Sequence, residues 1–163
     1  MPGAATAVHI LRQHSDWAVA IATGGWQASA LFKLDKAGIA VTGIPAAFAD
    51  HGVSREVIVA AALVMARQTY QRQQFARIVY VGDGVWDART ARRLNLEFIG
   101  VTSGEREAVL RAEGARAIIQ DFSDFDQFRQ TLEELDYGKS VVCPSPEPAG
   151  RARRSLARSP RSR

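Results

Sequence analysis

Residues Ile78–Asp87 read IVYVGDGVWD: four apolar residues run directly into Gly82-Asp83-Gly84, and a second acid, Asp87, follows four positions after the first. A short apolar run bounded by glycine reads as a strand buried on both faces, the pattern of a parallel sheet. Ligands of open parallel sheets gather outside the carboxyl ends of the strands. The two acids therefore stand where chemistry would take place. Two neighbouring carboxylates repel and raise each other's pKa unless a cation lies beside them. Mg2+ suits such a place, because it takes one or two carboxylates, a substrate phosphate and several waters. Gly82 and Gly84 permit a sharp turn and leave room for a ligand. The structural alternative makes Asp87 a cap of the following helix and Asp83 a turn residue.

Working outward, apolar β-leaning stretches alternate with helical periods. Trp17–Thr23 (WAVAIAT) reads as a strand ending in Thr23-Gly24-Gly25, and a helix follows over Gln27–Ala37, closed by Gly38. Ile39–Thr42 reads as a short strand and residues 43–53 as a loop. Ser54 suits a helix N-cap, and Val57, Ile58, Ala61, Ala62, Met65 and Ala66 repeat with helical period to about Gln71. Then come a strand over Arg77–Val81, a helix over about Ala88–Leu94 and a strand over Leu96–Val101. A helix over Gly104–Glu113, a strand over Ala115–Ile119 and a helix from Ser123 to about Leu135 complete the pattern, with Ser123 and Asp126 spaced as a capping box. Strands alternating with helices imply parallel βαβ units and an α/β fold.

A second strand end carries polar residues. The Thr23 hydroxyl, with amides freed by Gly24 and Gly25, suits a phosphate oxygen, and the helix behind points its positive end at the same place. The alternative is an N-cap and a tight turn. A cation to offset phosphate charge is available in Arg55, at the start of the helix leading into the acidic strand. Lys33 and Lys36 are further candidates, although helical spacing favours a solvated face for both. His9, His14 and His51 have no metal-ligand spacing.

The totals restrict the rest. The chain has 163 residues, 47% of them apolar, enough for one domain with a core. No apolar run reaches the ~18 residues of a spanning helix. The first residues lack the basic start and apolar centre of a secretory signal. Cys143 is the sole cysteine, so no internal disulfide forms, and a cytoplasmic location is expected. The net charge of +4 is carried by residues 151–163, which hold six arginines; the remainder has 15 basic and 17 acidic residues. That tail has no aromatic residue for stacking bases, so nucleic acid is expected to bind weakly through it or not at all. From about Gly138 onward, four prolines with Ser and Arg predict disorder, which divides the chain into a core over 1–137 and a tail over 138–163.

Together, these residues resemble the haloacid dehalogenase-like hydrolases. AIATGGW (20–26) resembles that family's second motif, a Thr or Ser at a strand end. VYVGDGVWDARTARRLNLEFIGV (79–101) resembles its fourth, Gly-Asp-x-x-x-Asp between strand and helix. Residues 2–34 resemble the helix–strand–helix that follows the cap in phosphatases of this family, and the likeness extends over about residues 2–137. The resemblance implies a three-layer Rossmann-like parallel sheet and a Mg2+-dependent phosphatase acting through an aspartyl-phosphate on a small phosphorylated molecule. It implies Asp83 as a Mg2+ ligand, Asp87 as support for the metal and the basic residue, and Thr23 with Gly24 and Gly25 as phosphate binders. Arg55 falls where the family's third motif usually has a lysine.

The family's nucleophile, the first Asp of an Asp-x-Asp that ends a strand ahead of the second motif, has no counterpart. Only Asp16 precedes Thr23, and Asp124-Phe125-Asp126 lies far downstream at a helix start. The expectation is a C-terminal part of such a fold, incomplete at its N-terminal side, as a truncated reading frame would leave it. Alone, such a chain is expected to lack covalent phosphoryl chemistry. The alternative is a non-catalytic phosphate- or nucleotide-binding or interaction module of the same fold. A missing central strand leaves a sheet edge exposed, so a dimer or a partner is expected to cover it.

Overall fold

A computed structural model describes residues 1–14 and 16–135. The expected tail over 138–163, the last two positions of the expected core, and Cys143 lie outside the described residues. The element order is α1 (Ala4–Gln13), β1 (Ile21–Ala22), α2 (Gln27–Lys36), β2 (Ala46–Ala47), a 3-10 turn (Ala49–His51), α3 (Arg55–Thr69), β3 (Val79–Gly82), α4 (Val85–Arg93), β4 (Glu97–Val101), α5 (Glu105–Ala112), β5 (Ala117–Ile119) and α6 (Phe125–Glu134). All strand pairs are parallel. They form two sheets among the described residues, β1-β2 and β3-β4-β5.

Alternation along the strands produces the layers. Ile99 and Val101 of β4, Ile119 of β5 and the odd-numbered Val79 and Val81 of β3 pack against α1 and α6 through Ala7, Phe128 and Leu132. The even-numbered Tyr80 and Phe98 face the other way, onto Ala88 and Ala91 of α4 and Leu110 of α5. β4 is buried at all five positions, as a strand covered on both faces must be. The smaller sheet packs on α3, where Ile58 and Ala62 meet Ala47 and Ala22. This is the layered α/β arrangement that the resemblance implies.

Three expectations need correction. Ile39–Thr42 is not a strand: Arg12 of α1 donates Nη2 to the Thr42 carbonyl at 2.8 Å, and the Ile44 amide turns back to Val41, so these backbone groups are satisfied outside a sheet. The strand lies instead at Ala46–Ala47, inside the expected loop. The helix after the acids begins at Val85, three residues earlier than expected, which places Asp87 within its first turn. The last helix is capped by Asp124, whose carboxylate accepts from the Gln127 amide at 2.9 Å, rather than by a Ser123–Asp126 box. Among the described residues no helix is long and apolar enough to cross a membrane.

Candidate functional site

Arg55 ties the two sheets together at their carboxyl ends. Ser54 caps α3 by accepting from the Val57 amide, which fixes where the helix starts and hence where Arg55 emerges. Arg55 Nη1 donates to Asp87 Oδ1 at 2.8 Å. The same guanidinium lies against Gly24, where an added Cβ would stand 3.4 Å from Nη2 and 3.6 Å from Cζ. One side chain thus touches the turn after β1 and the helix after β3. Of the expected residues, the structure brings together Gly24, Arg55 and Asp87, with Thr23 and Gly25 flanking Gly24.

Asp87 is 4% exposed and fully engaged. Besides Arg55, its Oδ1 accepts from the Tyr80 hydroxyl at 2.9 Å, and its Oδ2 accepts from the Gly84 amide at 3.1 Å. The last bond satisfies one of the unpaired amides of the α4 N-terminus, where a negative charge also suits the helix dipole. Asp87 thus bonds the amide at the start of α4 and pairs with the basic residue, while all three donors on its carboxylate come from protein rather than from the metal that the resemblance implies beside it. The room expected beside the glycines is filled by protein. A Cβ at Gly82 would come within 2.7 Å of Asp87, and one at Gly84 would meet the Trp86 indole. Glycine serves here to let Asp87 and Trp86 approach the backbone.

Two contributors were missed by sequence reasoning. Tyr80 interrupts an aliphatic strand, and its even position turns it to the α4 face, where its hydroxyl reaches Asp87. Burial first, then the adjacent Asp87 carboxylate, pushes the phenol well above its ordinary value. Asp50, in the 3-10 turn, accepts from the Gln27 amide at 2.8 Å and so occupies part of the α2 N-terminus. An aspartate in a loop between Pro45 and Gly52 gave no signal that it would return to a helix 23 positions earlier. Trp86 is 57% exposed, with the Arg55 guanidinium carbon 5.7 Å from its ring centre, so it shields the ion pair from one side.

Thr23 sits directly after β1, its amide bonded to the Ala47 carbonyl and its Oγ1 accepting from the Gly25 amide at 3.2 Å. Its hydroxyl thus closes a tight local turn. Asp83 is exposed, at the mouth of the β3 turn. The described residues hold no cluster of three or more metal-ligating side chains. With all three donors on Asp87 supplied by protein, Asp83 is the carboxylate open to a cation. A single carboxylate completed by waters and a substrate phosphate is a donor set that Mg2+ accepts. The downstream Asp124 and Asp126 serve α6: the first caps it and the second faces Arg129 at 3.7 Å.

No curated protein matches the sequence. Among solved structures, a hydrolase from Pseudomonas syringae superposes with a TM-score of 0.62 at 22% identity, covering 86% of this chain and 63% of that one. A putative beta-phosphoglucomutase from Bacteroides vulgatus superposes with a TM-score of 0.58 at 17% identity, covering 82% of this chain and 54% of that one. The chain thus spans less than two thirds of either structure, and at these identities the likeness establishes the fold. A family model of haloacid dehalogenase-like hydrolases matches residues 1–95, more than half of the sequence, and the chain belongs to that family.

Proposed function

We propose that this chain is a phosphate-handling α/β domain whose anion site is the Thr23-Gly24-Gly25 turn with Arg55, and that it binds a small phosphorylated molecule together with Mg2+ at Asp83. The observation that carries this reading is the position of Arg55. It is held by a buried carboxylate on one side and lies against the glycine turn on the other. A guanidinium anchored in this way keeps donors for a phosphate oxygen at little further entropic cost.

The chemistry divides between the residues. Arg55 and the Gly24 amide offset phosphate charge. The Thr23 hydroxyl, already an acceptor from Gly25, retains its proton to donate to a phosphate oxygen. Asp87 and Tyr80 hold Arg55 in place. Mg2+, when bound, would supply further charge neutralisation. Among the described residues no carboxylate ends a strand ahead of Thr23, and covalent phosphoryl transfer needs a nucleophile, so the activity we propose for these residues is binding without turnover.

Calorimetric titration with inorganic phosphate, with and without Mg2+, together with hydrolysis of an aryl phosphate, tests this reading. The expected result is phosphate binding strengthened by Mg2+, loss of that strengthening in Asp83→Asn, and no hydrolysis. Hydrolysis abolished by Asp83→Asn would show a nucleophile that this account lacks. Absence of phosphate binding would overturn the assignment.

A further inference from the structure

Three loops meet at the candidate site, and each carries an exposed apolar side chain. The turn after β1 runs Thr23-Gly24-Gly25-Trp26, and Trp26 is 68% exposed. Trp26 stands at the N-cap of α2 and its side chain caps nothing; the Asp50 carboxylate instead accepts from the next amide, that of Gln27. N-caps are ordinarily short polar residues, so helix chemistry gives no reason for an indole there. The 3-10 turn that holds Asp50 leads through a fully exposed Val53 to Arg55. The turn after β3 leads to Trp86, also more than half exposed. By contrast, Trp17, ahead of β1, packs against the core. A lone exposed apolar residue is ordinary, whereas three from separate loops beside one arginine mark a surface kept for contact.

The Trp86 ring is held in place. An added Cβ at Gly84 would collide with its Cε2, Nε1 and Cζ2, so the indole lies directly on the Gly84 backbone. The Arg55 guanidinium carbon stands 5.7 Å from its ring centre, and the same guanidinium lies against Gly24. Backbone and arginine fix the ring, and its remaining surface is open to water. A pinned, exposed indole loses little freedom when a second ring settles on it.

We infer that the ligand of this site is a phosphate monoester carrying a flat aromatic ring, its phosphate on Arg55 and the glycine turn and its ring stacked on Trp86, with Trp26 and Val53 along the rim. The inference rests on the phosphate site proposed above and names the class of molecule that site takes. Ring and phosphate of such a molecule are joined through a few bonds, as the indole and the glycine turn are joined through one guanidinium. A polyol phosphate would meet the same turn but direct hydroxyls at these apolar side chains, where they find no partner. The cation beside the stack further favours an electron-rich ring. Two sources share this chemistry: an aryl phosphate, with its ring directly on the ester oxygen, and a nucleotide, with its base carried on a sugar.

Calorimetric titration of the full chain with inorganic phosphate, glycerol phosphate, cyclohexyl phosphate, phenyl phosphate and adenosine monophosphate tests the inference and separates the two sources. The expected result is at least about fivefold tighter binding of phenyl phosphate, adenosine monophosphate or both than of glycerol phosphate, the low end of what stacking on one aromatic side chain provides. In Trp86→Leu that ratio should fall to about one, and Trp86→Phe should keep most of it; the ratio cancels any change to the phosphate site that the ligands share. In the isotope-labelled wild-type chain, the aromatic ligands that bind more tightly should move the Trp86 indole N–H resonance and glycerol phosphate should not. A wild-type ratio near one, a ratio that survives Trp86→Leu, or an unmoved indole resonance would overturn the inference. So would equal binding of phenyl and cyclohexyl phosphate without a gain for adenosine monophosphate, which would mark a merely apolar rim. In each of those cases inorganic phosphate still binds and the phosphate site stands. If no compound of the series binds, inorganic phosphate included, both readings fall together.

Discussion

Replacing Asp87 with asparagine preserves its size and removes its charge. In the wild-type chain the carboxylate accepts three bonds, from Arg55, Tyr80 and the Gly84 amide, in a side chain that is almost fully buried. A charge-assisted bond contributes about 1.5–3 kcal/mol net. Breaking a fully buried pair by removing one partner costs about 3–5 kcal/mol. The Arg55 side chain is one third exposed, so water recovers part of that loss, and the upper figures do not apply. Asparagine keeps an acceptor for the Gly84 amide. The expected destabilisation is therefore about 2 kcal/mol, or roughly 5–10 °C in Tm for a domain of this size. Denaturant unfolding of Asp87→Asn, Arg55→Gln and the double variant isolates the pair through a double-mutant cycle. A coupling of about 1–2 kcal/mol is expected. If Asp87 served α4 as a cap and nothing more, asparagine would keep the bond from the Gly84 amide and the single cost would be close to zero. The coupling with Arg55 would then fall within error of zero, and the reasoning that places Asp87 behind Arg55 would fail.

Three further predictions follow from particular contacts. Because the Tyr80 phenol is held above its ordinary value, the folded state favours its neutral form. Stability from this source is complete below the unfolded phenol's value near 10 and is lost as pH rises past it, so wild-type unfolding midpoints should fall above that pH, whereas Tyr80→Phe should flatten the decline. Gly82→Ala places a methyl group within 2.7 Å of Asp87, and thermal unfolding should show a loss of about 1–3 kcal/mol; an unchanged Tm would mean that the α4 N-terminus does not pack on β3 as described. Asp50→Ala frees the Gln27 amide, so it should cost about 1 kcal/mol in denaturant unfolding while leaving or improving phosphate affinity, since a competing negative charge leaves the α2 N-terminus.

The parts of this fold visible in the sequence are those fixed by local chemistry. Ser54 ahead of an apolar helical repeat located the start of α3, and IVYV before Gly82 located β3. Strand ends and acids together pointed to the edge of the sheet where Gly24, Arg55 and Asp87 lie together, and Arg55 stands at a helix start as the sequence reads. What stayed hidden depends on distant partners. The carbonyls of residues 40 and 42 are taken by Arg12, 28 and 30 positions away, so a stretch that reads as a strand is none. Asp87 was read as standing before its helix, because an aspartate at N3 and one at N-cap look alike until the Gly84 amide is seen to choose Oδ2. Tyr80 required knowledge of which face of β3 meets α4.

The account depends on one shared anion site formed by a glycine turn and an anchored arginine. Amide chemical shifts followed while the labelled chain is titrated with inorganic phosphate test it most directly. The account predicts saturable shifts at Thr23, Gly24 and Gly25 that vanish in Arg55→Gln while the fold is retained. Shifts at those three amides that survive the loss of the guanidinium, or phosphate-dependent shifts confined to other parts of the chain, would contradict it.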